Sequence, residues 1–210
     1  GRCHSLPGAL PTRQMGQGTV SKSVLVVGWN GVGKTAVIQS LCGRSSQPLP
    51  TLGVVRDVAT LTAGQEDGVE CALEMVDVGV EAKLEAKTAS YQPFLSGADA
   101  VIVVIEATKT LQKFRTEEIR LAKELVRRVA DEPEIRDKPF LIFANKCDRE
   151  DSLPISEVVE LFDLQEIFKG RTWHLQQCSA VTRVGLSAGS KWLVSKLTDE
   201  AKVGASQSGA

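Results

Sequence analysis

The sequence predicts an α/β fold, a doubly wound and mostly parallel sheet of six strands with one strand antiparallel. Three observations lead there. Short Val/Ile/Leu runs alternate along the chain with stretches of helical period. Residues 23–28 (SVLVVG) and 100–106 (AVIVVIE) are apolar without alternation, as in strands covered on both faces. One pair of runs is joined by a Gly-containing turn and reads as a hairpin inside an otherwise β-α order. The 210 residues, 42% of them apolar, are enough for a single domain with a substantial core.

Each element follows in turn. Residues 1–21 are rich in Gly, Pro, Ser, Thr and Gln, show no period, and read as a flexible arm. Residues 22–197 hold the folded domain. The strand at 23–28 leads into a helix over 34–42. Residues 54–62 and 71–77 flank the turn at 63–68 and form the hairpin. A buried strand lies at 100–106. Leu111, Phe114, Leu121, Ala122, Leu125 and Val129 recur at helical spacing and predict one long amphipathic helix, whose charges between 109 and 128 form a solvated face. Residues 139–145 (PFLIFAN) are a strand, 154–161 a helix and 172–178 the last strand. A closing helix from about 186 to 197 turns Trp192 and Leu193 inward. Residues 198–210 are small and polar and read as a flexible tail.

Composition removes several classes of function. A formal net charge of -1 gives no general attraction to nucleic acid or anionic lipid. The five cysteines, Cys3, Cys42, Cys71, Cys147 and Cys178, are odd in number and lack zinc-ligand spacing, which fits reduced thiols in the cytosol. The longest apolar run, 100–105, is too short to span a bilayer, and the first residues hold no stretch of secretory length. The expectation is a soluble, cytoplasmic monomer whose membrane contact, if any, is peripheral and comes through an anchor.

In a sheet of this kind ligands lie at the carboxyl ends of the strands. There, directly after the first strand, residues 28–35 read GWNGVGKT, the pattern G-x-x-x-x-G-K-[ST] opening a helix. Such a loop wraps a β-phosphate with backbone N–H groups, and the helix behind it presents its positive end to the same anion. Asn30, Gly31, Val32, Gly33, Lys34, Thr35 and Ala36 are the cradle. Lys34 neutralises β- and γ-phosphate charge, and the Thr35 hydroxyl is a magnesium ligand.

The loop alone leaves ATPases, kinases and GTPases open. Residues 145–148 read NKCD after the strand PFLIFA. The Asp148 carboxylate can accept hydrogen bonds from the N1–H and 2-amino edge of guanine, which adenine lacks. The stem of Lys146 can lie on the flat base, and Asn145 can tie this loop to the phosphate loop. Cys178-Ser179-Ala180 follows the last strand, where the backbone N–H near Ala180 would meet the base oxygen. An adenine-nucleotide kinase or ATPase is disfavoured by NKCD, and no arginine cluster for a second phosphate substrate is evident.

These motifs together resemble the ADP-ribosylation-factor-like family of small GTPases. The tetrapeptide 50–53 (PTLG) resembles its first switch, in which Thr51 would ligate magnesium beside a γ-phosphate. Residues 77–79 (DVG) resemble the opening of its D-x-G-G-Q second switch, where Asp77 reaches the metal through water. Residues 141–148 (LIFANKCD) and 172–193 resemble its later motifs, and the likeness runs over about 22–197. It implies a P-loop NTPase fold and a switch that cycles between GTP and GDP with Mg2+. It also implies effector proteins, an exchange factor and a GTPase-activating protein as partners, in membrane or ciliary traffic.

Two positions and the N-terminal arm depart from the family pattern. Val80 stands where a glycine would give its N–H to the γ-phosphate, and Glu81 stands where a glutamine would orient water. Lys34 and Glu81 are the catalytic candidates, and the two departures imply slow or activator-dependent hydrolysis. The alternative is a non-hydrolysing, GTP-dependent scaffold. The arm, with Pro7 and Pro11, lacks the amphipathic helix that many members lay on membranes. Should Gly1 become the N-terminus on loss of an initiator methionine, residues 1–5 (GRCHS) fit myristoylation of Gly1, with Cys3 open to palmitoylation. Trp29 reads as loop packing, Trp173, Trp192 and Phe162 as core, and His4, His174 and Cys147 as residues without catalytic roles.

Overall fold

The computed structural model describes residues 20–44, 53–62, 70–79 and 84–207. Six strands form one sheet: β1 (Val20–Val27), β2 (Gly53–Thr62), β3 (Glu70–Gly79), β4 (Ala100–Glu106), β5 (Phe140–Asn145) and β6 (Trp173–Gln177). Their order is β2-β3-β1-β4-β5-β6. Only the β2–β3 pair is antiparallel; β1 runs parallel to both β3 and β4, and β5 and β6 continue the parallel ladder. The fold class read from the sequence is the observed one. The segment joining the hairpin strands lies outside the described residues.

Helices cover both faces: α1 (Lys34–Leu41), α2 (Leu84–Leu95), α3 (Lys109–Phe114), α4 (Thr116–Ala130), α5 (Ile155–Leu161), α6 (Leu164–Ile167) and α7 (Leu186–Gln207). The alternation of strand side chains divides the core in two. Leu25, Val27, Val101 and Val103 face α2 and α4 with Tyr91, Leu95, Leu125 and Val129. Val24, Val26, Ile102 and Val104 face α1 and α7 with Val37, Ile38, Leu193 and Val194. Every residue of β4 and β5 is buried, which is why those strands read as unbroken apolar runs.

Two helical expectations are corrected. The single long helix over 109–129 is two, because Arg115 leaves helical geometry at φ -131° and ψ 44°. Its guanidinium reaches Glu118 and Glu106, so the break turns a charge back toward the sheet end. The closing helix does not stop near Leu197; it continues to Gln207, through the stretch read as a tail. Helix α2 carries no helical period in the sequence, since its buried stripe of Leu84, Tyr91 and Leu95 is interrupted by Lys87, itself fully buried, and Pro93 lies inside it. A lysine at a core position erases the amphipathic signal on which helix reading depends.

The fourfold Cys42, Cys71, Cys147 and Cys178 are free thiols. No helix among the described residues is long and apolar enough to cross a membrane. His174 stacks on Trp192 with ring centroids 5.1 Å apart, and Trp173 on Phe168 at 5.7 Å, as packing residues.

The buried stripe of α4 gives a direct check. Leu125→Ala, at a side chain with no exposure, should cost about 3 kcal/mol, and Leu121→Ala, on the half-buried margin, less than about 1.5 kcal/mol. For a chain of this size the first corresponds to a fall in Tm of roughly 6–12 °C in thermal denaturation.

Candidate nucleotide site

β1 lies between β3 and β4, so successive connections leave it in opposite directions and open a crevice at its carboxyl end. Gly28 follows β1 there, against the β4 backbone: a Cβ on it would lie 2.4 Å from the Val104 carbonyl oxygen. The loop then turns into α1 through Gly33 at φ 96°, where a Cβ would also come within 2.4 Å of Asn145 Nδ2. Backbone sign and close approach therefore both demand glycine at position 33.

The loop carries positive charge that is poorly solvated. Lys34 is 8% exposed and its Nζ donates to the Trp29 carbonyl across the loop at 3.3 Å. Burial pushes the Lys34 ammonium below the ordinary lysine pKa, and the Asp77 charge partly offsets this. The first turn of α1 has no acidic residue and no side-chain cap. A cation at a helix N-terminus opposes the helix dipole, and the terminal N–H groups still require acceptors. An anion in the loop answers all three demands.

Beside Lys34, the Thr35 hydroxyl donates to Asp77 Oδ2 at 2.6 Å, and Asp77 is 1% exposed near the end of β3. A hydroxyl and a carboxylate side by side are hard oxygen donors, which suits magnesium, a cation that takes few protein ligands and completes its shell with phosphate and water. The residues present fit that ion.

The opposite wall is organised by Asn145 at the end of β5. Its Nδ2 donates to the Val32 carbonyl of the phosphate loop at 2.9 Å, and its Oδ1 accepts from the Ala180 N–H at 3.0 Å. Cys178 Sγ approaches the same oxygen at 3.8 Å. Asn145 is 3% exposed, so both ends of its amide are satisfied inside the protein. The Ser40 hydroxyl of α1 donates to the Ala180 carbonyl at 2.6 Å, and the buried Ser179 Oγ accepts from the N–H groups of Val181 and Thr182. Lys146 adopts φ 72°, and its ammonium pairs with Glu106 at 2.7 Å. Asp148, two residues on, is exposed.

The structure thus assembles Asn30, Gly31, Val32, Gly33, Lys34, Thr35, Ala36, Asp77, Asn145, Lys146, Asp148, Ser179 and Ala180 at one end of the sheet. Thr51, Val80, Glu81, Gly1 and Cys3 lie outside the described residues. The Ala180 N–H, expected to meet a base oxygen, is directed to Asn145 instead. Sequence reading missed Glu106, which is 6% exposed and bonded to both Lys146 and Thr108. The signal was present, since an acid closes the otherwise apolar strand AVIVVIE. It also missed Ser40 and Lys87. Trp29, read as loop packing, packs against both halves of the core.

A phosphate loop between β1 and α1, joined through one amide to a loop after β5 and another after β6, defines a nucleotide-binding α/β protein. Comparison with known proteins narrows this. The ADP-ribosylation factor family profile matches residues 12–197. ADP-ribosylation factor J of Dictyostelium discoideum is 27% identical over 185 residues, covering 88% of this chain and 89% of that protein. ADP-ribosylation factor-like protein 3 of Caenorhabditis elegans is 29% identical over 181 residues, covering 85% and 89%. In three dimensions the chain is similar to the Arl6 BBS3 small GTPase from Trypanosoma brucei, solved with the nucleotide analogue GppNp; the TM-score is 0.70 at 21% identity, covering 86% of this chain and 99% of that one. The chain belongs to the ADP-ribosylation factor family, whose members are GTP-binding switch proteins.

Replacing Asn145 by Ala leaves the Val32 carbonyl and the Ala180 N–H without their buried partner. A loss of about 2–4 kcal/mol in stability is expected. Chemical denaturation reads that loss, and retention of nucleotide through purification should fall with it.

Proposed function

We propose that this chain binds GTP and GDP with Mg2+, recruits effector proteins in one nucleotide state, and acts in membrane or ciliary traffic with slow intrinsic hydrolysis. The carrying observation is the Asn145 amide, which couples the phosphate loop to the two loops flanking a base. In this reading the phosphate-loop N–H groups from Asn30 to Ala36 hold the β-phosphate, and Lys34 balances its charge. Thr35 and Thr51 would hold Mg2+, with Asp77 contributing through water, and the ion would balance phosphate charge. Asp148 reads the guanine edge, and Lys146, braced by Glu106, covers the base. Binding of the base brings an acceptor that competes with Asn145 for the Ala180 N–H. An exchange factor and a GTPase-activating protein set the lifetimes of the two states.

Base recognition is tested by competition among GDP, XDP and ADP. Loss of a charge-assisted contact to the base is worth on the order of 2–5 kcal/mol. Asp148→Asn should therefore weaken GDP by at least an order of magnitude and shift preference toward XDP, whose 2-oxo group accepts from an amide. Equal affinity of the unaltered protein for ADP and GDP would remove the guanine assignment.

Slow hydrolysis follows from residues 80 and 81. Glu81 can accept from water but is anionic; a carboxylate about 5 Å from a phosphate charge, at an effective dielectric near 20, would be repelled by roughly 3 kcal/mol before screening. A valine at position 80 has fewer backbone conformations open to it than the glycine of the family pattern. In single-turnover assays Val80→Gly/Glu81→Gln should hydrolyse GTP fastest, Glu81→Gln next and the unaltered protein slowest. Rapid turnover by the unaltered protein, undiminished in Glu81→Ala, contradicts this account.

A further inference from the structure

Lys87 is fully buried on α2, within the stripe formed by Leu84, Tyr91 and Leu95. Its ammonium donates to Asn30 Oδ1 at 2.7 Å and lies 5.5 Å from the centroid of the Trp29 ring. Both are phosphate-loop residues. Tyr91, one turn further along α2, brings its hydroxyl to 3.5 Å from the Gly28 carbonyl, at the start of the same loop. Helix α2 begins three residues after Glu81. The element that carries on from the second switch is therefore held to the phosphate loop at two points, one of them a buried cation.

We infer that Lys87 is a second cation of the phosphate site, and that it raises the preference of this chain for nucleoside triphosphate over diphosphate. The inference rests on the phosphate loop holding a guanine nucleotide. A positive charge fixed beside the loop, in a region from which water is excluded, attracts the more highly charged nucleotide more strongly. Because the charge is delivered by α2, the phosphate count and the position of α2 are linked: whatever draws the triphosphate and Lys87 together also holds α2 against the loop. Such a contact supplies from a side chain what Val80 makes difficult for the backbone. Lys34 does not supply the same link, since it sits on α1 and moves with the loop itself.

The test uses the full chain with Mg2+ and measures the Kd of GDP and of a non-hydrolysable GTP analogue for the unaltered protein, Lys87→Met and Lys87→Gln. Met matches the stem without charge. Gln keeps a donor for Asn30 without charge, so a role confined to that hydrogen bond would survive in it. Both variants should lower the ratio of triphosphate to diphosphate affinity roughly tenfold, with most of the loss on the triphosphate. A ratio within twofold of the unaltered protein, or equal weakening of both nucleotides, overturns the inference and leaves guanine binding intact. An unaltered protein that binds neither nucleotide overturns the proposed function as well. A second measurement needs no variant. A GTP acyl phosphate reacts with a nearby lysine when the amine attacks the acyl carbonyl, forming an amide and releasing GTP. Mass spectrometry should find the acyl group on Lys87 as well as Lys34; label on Lys34 with none on Lys87 counts against the proposal.

Discussion

One buried carboxamide holds the site together. Asn145 bonds the Val32 carbonyl on one side and the Ala180 N–H on the other, and is itself the last residue of β5. Donor and acceptor ends are both used, so the side chain has one orientation and the two loops have one spacing. Gly33 depends on the same contact, because any larger residue there would occupy the place of the Asn145 amide. The Ser40 hydroxyl extends the linkage into α1. A few short hydrogen bonds therefore tie these loops to one another directly, in addition to the strands that carry them.

Charge is arranged around this frame in a consistent way. Lys34 and Lys87 are both held on the phosphate loop and both largely removed from water. Asp77 near the end of β3 and Glu106 at the end of β4 are buried acids, one beside Thr35 and the other beneath Lys146. Burial makes each of these charges dependent on its neighbours, since an isolated ion in such surroundings is strongly disfavoured. The cations gather where an anion is to be bound. The acids sit one step behind, where they orient a hydroxyl and an ammonium without entering the loop.

The sheet supplies the rigidity that this arrangement requires. β4 and β5 are buried along their whole length, and their carboxyl ends carry Glu106 and Asn145 at paired positions of the ladder. Helices α1 and α7 pack on one face and α2 and α4 on the other. The helix that follows the second switch is the one that inserts a lysine into its packing stripe, and that stripe touches the phosphate loop. That helix is thereby anchored to the phosphate loop by polar contacts from Lys87 and Tyr91.

Much of this was legible in the sequence because its signals are local. The strands at 23–28, 100–106 and 139–145 declare themselves by composition, and GWNGVGKT and NKCD by short spacing that binding chemistry imposes on adjacent residues. Strand order, the pairing of Glu106 with Lys146 across 40 positions and the bridging by Asn145 across 113 and 35 are decisions of tertiary structure. A hydrogen bond between distant residues leaves no periodic trace in either segment. The same reason explains α2 and Arg115. Lys87 is buried because the phosphate loop offers it partners, and the α3–α4 break places a guanidinium near Glu106. Sequence alone determined the class of fold and the kind of ligand, since those depend on patterns along the chain. Which charges meet around that ligand was settled by the packing of β1 between β3 and β4, which brings together segments that the sequence keeps far apart.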